Sequence, residues 1–223
     1  MSDIELVEED APPGRGEHRW PMALAVIVAS VLHAVLPPEL KAQQSKWVPL
    51  ISAAILLVLI LADPGRIDRV QRWTRAVTGV LFGFITLANA LSVYLLIQGI
   101  LDQSSFATAR ELLFAGACVW VTNVIAFALW YWDLDGGGSA ARLNGTGPSP
   151  ALVFPEMTHK EHVPPDWYPK FVDYLTFSFS TALAFSPTDV SAVKPWAKVM
   201  MVCESLVSLA TAALVIARAI NIV

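Results

Sequence analysis

Charge is scarce in this sequence. Only 15% of its 223 residues are Asp, Glu, Lys or Arg, whereas soluble domains carry about a quarter. Apolar residues make up 55% of the chain and its mean hydropathy is +0.55. The apolar residues stand in long runs rather than at the spacing of an amphipathic helix or strand. This composition predicts an integral membrane protein and argues against a soluble globular domain.

Cysteine is almost absent, and the motifs of common enzymes are missing. Cys118 and Cys203 lie inside apolar runs, where cysteine behaves as a small hydrophobic residue, so we predict no disulfide. The sequence contains no phosphate-binding loop, no nucleophile elbow and no zinc-binding helix with a catalytic Glu. We therefore expect neither an enzyme nor a bound cofactor, and no nucleic acid partner.

One polar stretch, EMTHKEH, is a weak candidate for a metal site. It places His159 and His162 at a His-x-x-His spacing, with Glu156 and Glu161 nearby, which zinc could use. This spacing is common in polar loops and no third strong ligand is fixed, so we predict no metal. The alternative of a membrane metalloenzyme depends on these two histidines. The stretch DLDGGG resembles a calcium-binding loop only in composition, and a flexible turn is the better interpretation.

The apolar runs predict an all-α fold with five transmembrane helices. Pro-Pro and Asp-Pro-Gly end the first two runs, and tryptophans stand at the ends of several runs, as they do at membrane interfaces. The predicted spans are residues 20–36, 47–62, 76–100, 112–132 and 195–223. The predicted parts of the chain are a disordered acidic N-terminus at 1–19, a four-helix transmembrane part at 20–132, a polar loop at 133–170 and a final part at 171–223.

The distribution of positive charge predicts the orientation. If the N-terminus is cytoplasmic, eleven of the fifteen Lys and Arg residues lie inside, and the four outside are Lys41, Lys46, Arg110 and Arg218. The Arg-rich stretch PGRIDRVQRWTR carries most of the weight, because short loops follow the positive-inside rule best. We therefore expect a multi-pass protein of the inner (plasma) membrane with a cytoplasmic N-terminus.

A short apolar segment precedes the last predicted span. It reads YLTFSFSTALAFSPTDV, and its apolar part, residues 174–185, is shorter than the roughly 20 residues that a spanning helix needs. Its hydroxyl groups can satisfy backbone groups where a helix breaks inside a membrane. An amphipathic helix on the membrane surface would need a charged face, which this segment lacks. The pattern therefore favours a re-entrant helix, and the surface helix remains the alternative.

The order of these segments resembles the pore module of the potassium-channel superfamily. An outer helix, a short hydroxyl-rich pore helix, a filter, an Asp and an inner helix follow one another there, as residues 110–132, 174–181, 185–188, Asp189 and 195–223 do here. The chain also resembles a family of uncharacterised bacterial integral membrane proteins. The matching pieces are ADP at 62–64, the following Arg-rich loop, YLTFSF at 174–179 and TDV at 188–190. The channel resemblance implies a homotetramer.

The filter itself departs from the channel pattern. A potassium filter reads Thr-Val-Gly-Tyr-Gly before its Asp, whereas this chain has Ala-Phe-Ser-Pro-Thr at 184–188 and no glycine. Proline also locks φ and removes a backbone donor. The resemblance assigns pore and filter-like positions to Thr181, Ser186, Thr188 and Asp189, but it predicts no potassium selectivity. Asp189 is either a cation-concentrating carboxylate at a pore mouth or a plain cap residue.

The last predicted span carries a polar face. Glu204, Ser208 and Thr211 stand at i, i+4 and i+7 and so share one side of a helix. A carboxylate at this depth is costly and usually faces a bundle interior or a watery cavity. We expect Glu204 to face the central axis of an oligomer. In the competing account it bonds to Asn123 or Asn89 within one chain.

These features predict an oligomeric, ion-channel-like membrane protein without potassium selectivity. Its expected partners are the lipid bilayer, further copies of the chain and inorganic ions. The main alternative is a non-conducting scaffold or subunit that keeps the pore-like architecture. A conducting pore needs water along the face of Glu204, whereas in a scaffold that face would be packed without water.

Overall fold

A computed structural model describes residues 16–40, 47–62, 65–67, 72–102, 108–183 and 189–222. Within these ranges the chain forms eight α-helices. They are α1 (Trp20–Val35), α2 (Trp47–Ala62), α3 (Arg72–Leu101), α4 (Ala109–Leu134), α5 (Ser139–Leu143), α6 (Pro155–Thr158), α7 (Phe171–Leu183) and α8 (Pro195–Ile222). Four two-residue strands accompany them: β1 (Glu17–His18), β2 (Arg66–Ile67), β3 (Leu152–Val153) and β4 (Ser191–Ala192).

Three of the five predicted spans are long enough to cross a membrane. The segments Trp73–Leu101, Ala109–Gly137 and Pro195–Asn221 qualify by length and apolar composition, which indicates a membrane protein. The helices α1 and α2 are equally apolar but have 16 residues each. Spanning by these two helices therefore stays a prediction, and so does the total of five.

The helix α4 lies at the centre of the bundle. It contacts α1, α3, α7 and α8, and 67% of its most apolar stretch is buried, against 22% for α8. Its start is fixed by Thr108, whose hydroxyl accepts a hydrogen bond from the Glu111 backbone N–H at 3.2 Å. Gly116 lets α8 approach closely, because a Cβ there would lie 2.8 Å from a Val215 methyl carbon. The outer face of α8 carries exposed Val and Leu side chains.

The chain before α1 and the connections after α2, α4 and α7 gather at one end of the bundle. We call this the loop end, and it comprises residues 16–19, 65–67, 135–170 and 189–194. Here β1 pairs antiparallel with β2, and β3 pairs antiparallel with β4, with Leu152 opposite Ala192. A separate apolar cluster fills the opposite end, where Leu40, Leu96 and Leu112 are buried.

Glu17 ties the loop end together. Its carboxylate accepts hydrogen bonds from Trp132 Nε1 at 2.9 Å, from Ser139 Oγ at 3.0 Å and from the Phe171 backbone N–H at 2.6 Å. The sequence predicts disorder over 1–19, and this is wrong for residues 16–19, because they are held by these bonds and by the β1–β2 pair. Residues 1–15 lie outside the described part of the chain.

The predicted polar loop at 133–170 is folded against the bundle. Leu152 and Phe154 belong to the same buried core as the helices, and α5 and β3 interrupt the loop. The prediction of a polar loop over 133–170 did not include these elements. The many glycines and prolines of this loop suggested flexibility, but several of them shape tight turns between buried anchors.

The short helix α7 runs alongside α4 and starts at the loop end. Tyr174, in its first turn, donates a hydrogen bond to Asp135 Oδ2 at 2.7 Å. Near its other end, the Phe179 ring lies 5.6 Å from the ring of Trp120, close to the middle of α4. Its 13 residues extend about 20 Å. The chain is back at the loop end by β4, which pairs with β3.

Candidate functional site

A buried polar cluster joins α4, α7 and α8 around Glu204. The side chain of Glu204 is 0% exposed within the single chain. Tyr131, from α4, donates its hydroxyl hydrogen to Glu204 Oε2 at 2.9 Å. Ser178, from α7, makes a short hydrogen bond to Glu204 Oε1. The cluster therefore connects the predicted pore-type helix to the last span.

The number of hydrogens in this cluster indicates its protonation. Ser178 Oγ lies within hydrogen-bond distance of Glu204 Oε1 and also 2.8 Å from the Val124 carbonyl oxygen. A hydroxyl group has one hydrogen and can donate only once. Both contacts are satisfied if a neutral Glu204 donates to Ser178 and Ser178 donates to Val124. Among the described residues, no Lys, Arg or His forms an ion pair with Glu204.

A second polar layer lies one turn further along α8. Asn123 donates from Nδ2 to Ser208 Oγ at 3.1 Å, and Asn89 donates from Nδ2 to Asn123 Oδ1 at 3.3 Å. All three side chains are buried, so this layer ties α3, α4 and α8 together by hydrogen bonds. Thr211 is buried too, and its hydroxyl has no partner among the described residues.

The polar face of the last helix therefore packs inside one chain. Glu204, Ser208 and Thr211 share one face, as their spacing predicts, and that face is covered by the other helices. The expectation that Glu204 faces an axis between subunits is wrong, because its partners Tyr131 and Ser178 belong to the same chain. The competing account is right that Glu204 bonds within one chain but wrong about its partners, since Asn123 bonds Ser208 instead.

Of the four positions assigned to a pore, the structure describes Thr181 and Asp189. Thr181 is buried, and its hydroxyl donates to the Phe177 carbonyl oxygen at 2.9 Å within α7. Its own carbonyl accepts a hydrogen bond from Ser205 Oγ at 3.1 Å. Asp189 is exposed, close to β4. Ser186 and Thr188 lie outside the described residues.

Asp135, a residue that the sequence did not single out, organises the loop end. It is 0% exposed, and its Oδ1 accepts the backbone N–H groups of Ala151 at 2.5 Å and Leu152 at 3.3 Å. Its Oδ2 accepts the Tyr174 hydroxyl. The following glycines adopt positive φ, 58° at Gly136, which favours glycine. The DLDGGG stretch is thus a structured turn. Its run of three glycines was the feature of the sequence that could have indicated this turn.

The start of α7 carries a partly buried carboxylate. Asp173 Oδ2 accepts the Lys170 backbone N–H at 2.7 Å, which caps the helix. Burial raises the pKa of Asp173, and the nearby Glu156 carboxylate raises it further. The Lys170 N–H and the positive charges of Lys170 and Arg142 lower that pKa. Burial also raises the pKa of the Tyr168 phenol, three residues before α7.

The histidine loop does not form a ligand set in this part of the fold. His159 Nδ1 and His162 Nε2 lie 3.5 Å and 3.8 Å from Glu161 Oε1, and all three side chains are exposed. Over the described ranges, no three His, Cys, Asp or Glu side chains form a group that could hold a metal ion.

Comparisons with known proteins add no relative. No protein-family model, no curated protein and no solved structure matches the chain. The resemblance to the potassium-channel superfamily and to a bacterial membrane-protein family therefore stays a prediction that depends on the quoted residues.

Proposed function

We propose that this chain is a multi-pass membrane protein with a re-entrant helix and a closed interior. In this proposal it serves as a non-conducting scaffold or subunit that keeps the order of elements of a pore module. The observation that carries the proposal is the burial of Glu204, Ser208 and Thr211 within one chain. A water-filled ion path needs such polar groups to line it, whereas here Glu204 and Ser208 bond to neighbouring helices and Thr211 is buried.

The re-entry of α7 is supported by the contacts at its two ends. Its first turn contacts Asp135 and Glu17 at the loop end, and its last turn reaches Ser205, about ten residues into α8. The chain then has to return to the loop end, where β4 pairs with β3. A segment that enters and leaves by the same end is a re-entrant hairpin. Within α7 the backbone groups are satisfied by the helix itself, as the bilayer requires.

The cytoplasmic placement of the loop end is supported by its cations. The N-terminal segment, the loop after α2 and residues 135–170 meet there through the β1–β2 pair and Glu17. These segments hold seven of the fifteen Lys and Arg residues, and Arg72 and Arg75 follow in the first turn of α3. Under the positive-inside rule the loop end faces the cytoplasm of the inner membrane.

The second candidate function is an oligomeric channel without potassium selectivity. It is favoured by one observation, a wide apolar face on α7 and α8 that further copies of the chain could cover. Phe179, Leu183, Val202 and Leu206 are all between 42% and 61% exposed there. An ion path in such an oligomer would be lined by residues 184–189 rather than by the Glu204 face.

Ion flux in proteoliposomes distinguishes the two functions. Because the Glu204 face is closed, we expect potassium and sodium flux through the purified protein to equal that of empty vesicles. The comparison variant is Asp189→Asn, which removes the exposed carboxylate but leaves the buried clusters intact. Cation flux above background that falls in Asp189→Asn would instead establish the channel.

A further inference from the structure

A cavity of about 510 Å³ lies within the folded loop at the loop end. It is bounded by the turn after α4, by residues 147–150 and by residues 163–169, and Met157 and Trp167 form apolar parts of its wall. Its volume falls in the range of small-molecule sites in proteins. It is separate from the Glu204 cluster, since its lining residues belong to the loop.

Arg142 lines this cavity with its guanidinium held in place from two sides. Its Nη1 donates to the carbonyl oxygens of Trp132 at 2.8 Å and Asp135 at 2.6 Å. The guanidinium carbon lies 4.9 Å from the centre of the Tyr174 ring, a cation–π contact. The group is therefore fixed before any ligand arrives, which reduces the entropy cost of binding.

The remaining edge of Arg142 is suited to an oxyanion. Its Nε and Nη2 atoms are buried and have no hydrogen-bond partner among the described residues. These two N–H groups lie side by side on one edge of the guanidinium, the arrangement that binds carboxylate or phosphate oxygens in pairs. Leaving charged donors unbonded in a buried place is costly, so this edge favours a bound oxyanion.

Glu156 supplies the opposite charge in the same cavity. Its Oε2 atom is buried and likewise has no partner among the described residues. No ion pair joins Glu156 to Arg142 in the described structure, so both groups are available at once. A ligand carrying only negative charge would be repelled by Glu156 and by nearby Asp173, whereas an added ammonium group would be attracted.

We propose that this cavity binds a small zwitterion, with its oxyanion on Arg142 and its ammonium group on Glu156. Two sources offer this chemistry: a free amino acid, or the phosphodiester and amine of an ethanolamine lipid headgroup. This site goes beyond the proposed membrane function and does not depend on whether the protein conducts ions.

The test is calorimetric titration of the purified full chain with three probes. They are the amino acid leucine, glycerophosphoethanolamine and inorganic phosphate, which lacks the ammonium group. We expect at least one zwitterion to bind, and phosphate to bind at least tenfold more weakly. If only leucine binds, the ligand is a free amino acid. If only glycerophosphoethanolamine binds, the ligand is a lipid headgroup.

Three variants locate the site. Glu156→Gln keeps the shape of the side chain and should weaken zwitterion binding about tenfold or more, since the negative charge that attracts the ammonium group is lost. Arg142→Lys should do the same by removing the paired donors, and Arg110→Lys, exposed at the opposite end, should change nothing. The proposal is overturned if neither zwitterion binds, if phosphate binds equally well, or if Glu156→Gln binds like the parent protein.

Discussion

Replacing Glu204 by glutamine is expected to change the free energy of unfolding by less than about 1 kcal/mol, whereas alanine should lower it by about 3 kcal/mol. Glutamine has the shape of a neutral carboxylic acid. Its oxygen can accept from Tyr131, and its amide can donate to Ser178 as a neutral carboxyl group would. Alanine leaves both hydroxyl groups without this partner and opens a cavity between three helices.

Unfolding in mixed micelles, followed by circular dichroism, measures both changes. The matched control is Glu111→Ala, since Glu111 is exposed at the start of α4 and its side chain should contribute less than about 0.5 kcal/mol. Equal losses in Glu204→Gln and Glu204→Ala would contradict the neutral form. They would mean that a negative charge at this position is required by its neighbours.

Asp135→Ala is expected to destabilise the protein by about 4 kcal/mol. The substitution removes the acceptor for the Tyr174 hydroxyl and for two backbone N–H groups of residues 151 and 152. All of these donors are buried together with the carboxylate. The β3 strand and the start of α7 would lose their shared anchor.

Two nearby substitutions make this measurement specific. Asp133→Ala, two residues earlier, should cost about 1 kcal/mol or less, because its carboxylate lies 3.9 Å from the exposed Arg75, a distance that gives only a weak ion pair. Tyr174→Phe removes one of the three donors to Asp135, so its loss of stability should lie between those of Asp133→Ala and Asp135→Ala. The same unfolding assay compares them, and a loss in Asp133→Ala as large as in Asp135→Ala would refute the assigned role.

The helices were the predictable part of this fold. Long apolar runs leave few alternatives in a bilayer, and α3, α4 and α8 follow those runs closely. The shared face of Glu204 and Ser208 also follows from helical periodicity alone. Periodicity says which residues share a face, but not which helix covers it. The partners Tyr131 and Ser178 are 73 and 26 residues away in sequence, so Glu204 was assigned to a subunit axis.

For a related reason, the structure of the loop end could not be predicted from the sequence. Glu17 stands in an acidic stretch that has the composition of a solvated tail, and its bond to Phe171 joins residues 154 positions apart. Asp135 and its glycines have the composition of a flexible turn. Each becomes structured through backbone groups that the sequence does not identify, since backbone donors are the same at every residue except proline.

The most direct test of the closed interior is the access of water to the polar face of α8. In a Cys118→Ser, Cys203→Ser background, Ser208→Cys and Asp189→Cys are each reconstituted and treated with a hydrophilic thiol reagent on both sides of the membrane. Asp189 is exposed and Ser208 is 0% exposed. We predict labelling at position 189 and none at position 208. Labelling of Ser208→Cys at a comparable rate would contradict the account, because it would place water along the face on which Glu204 lies.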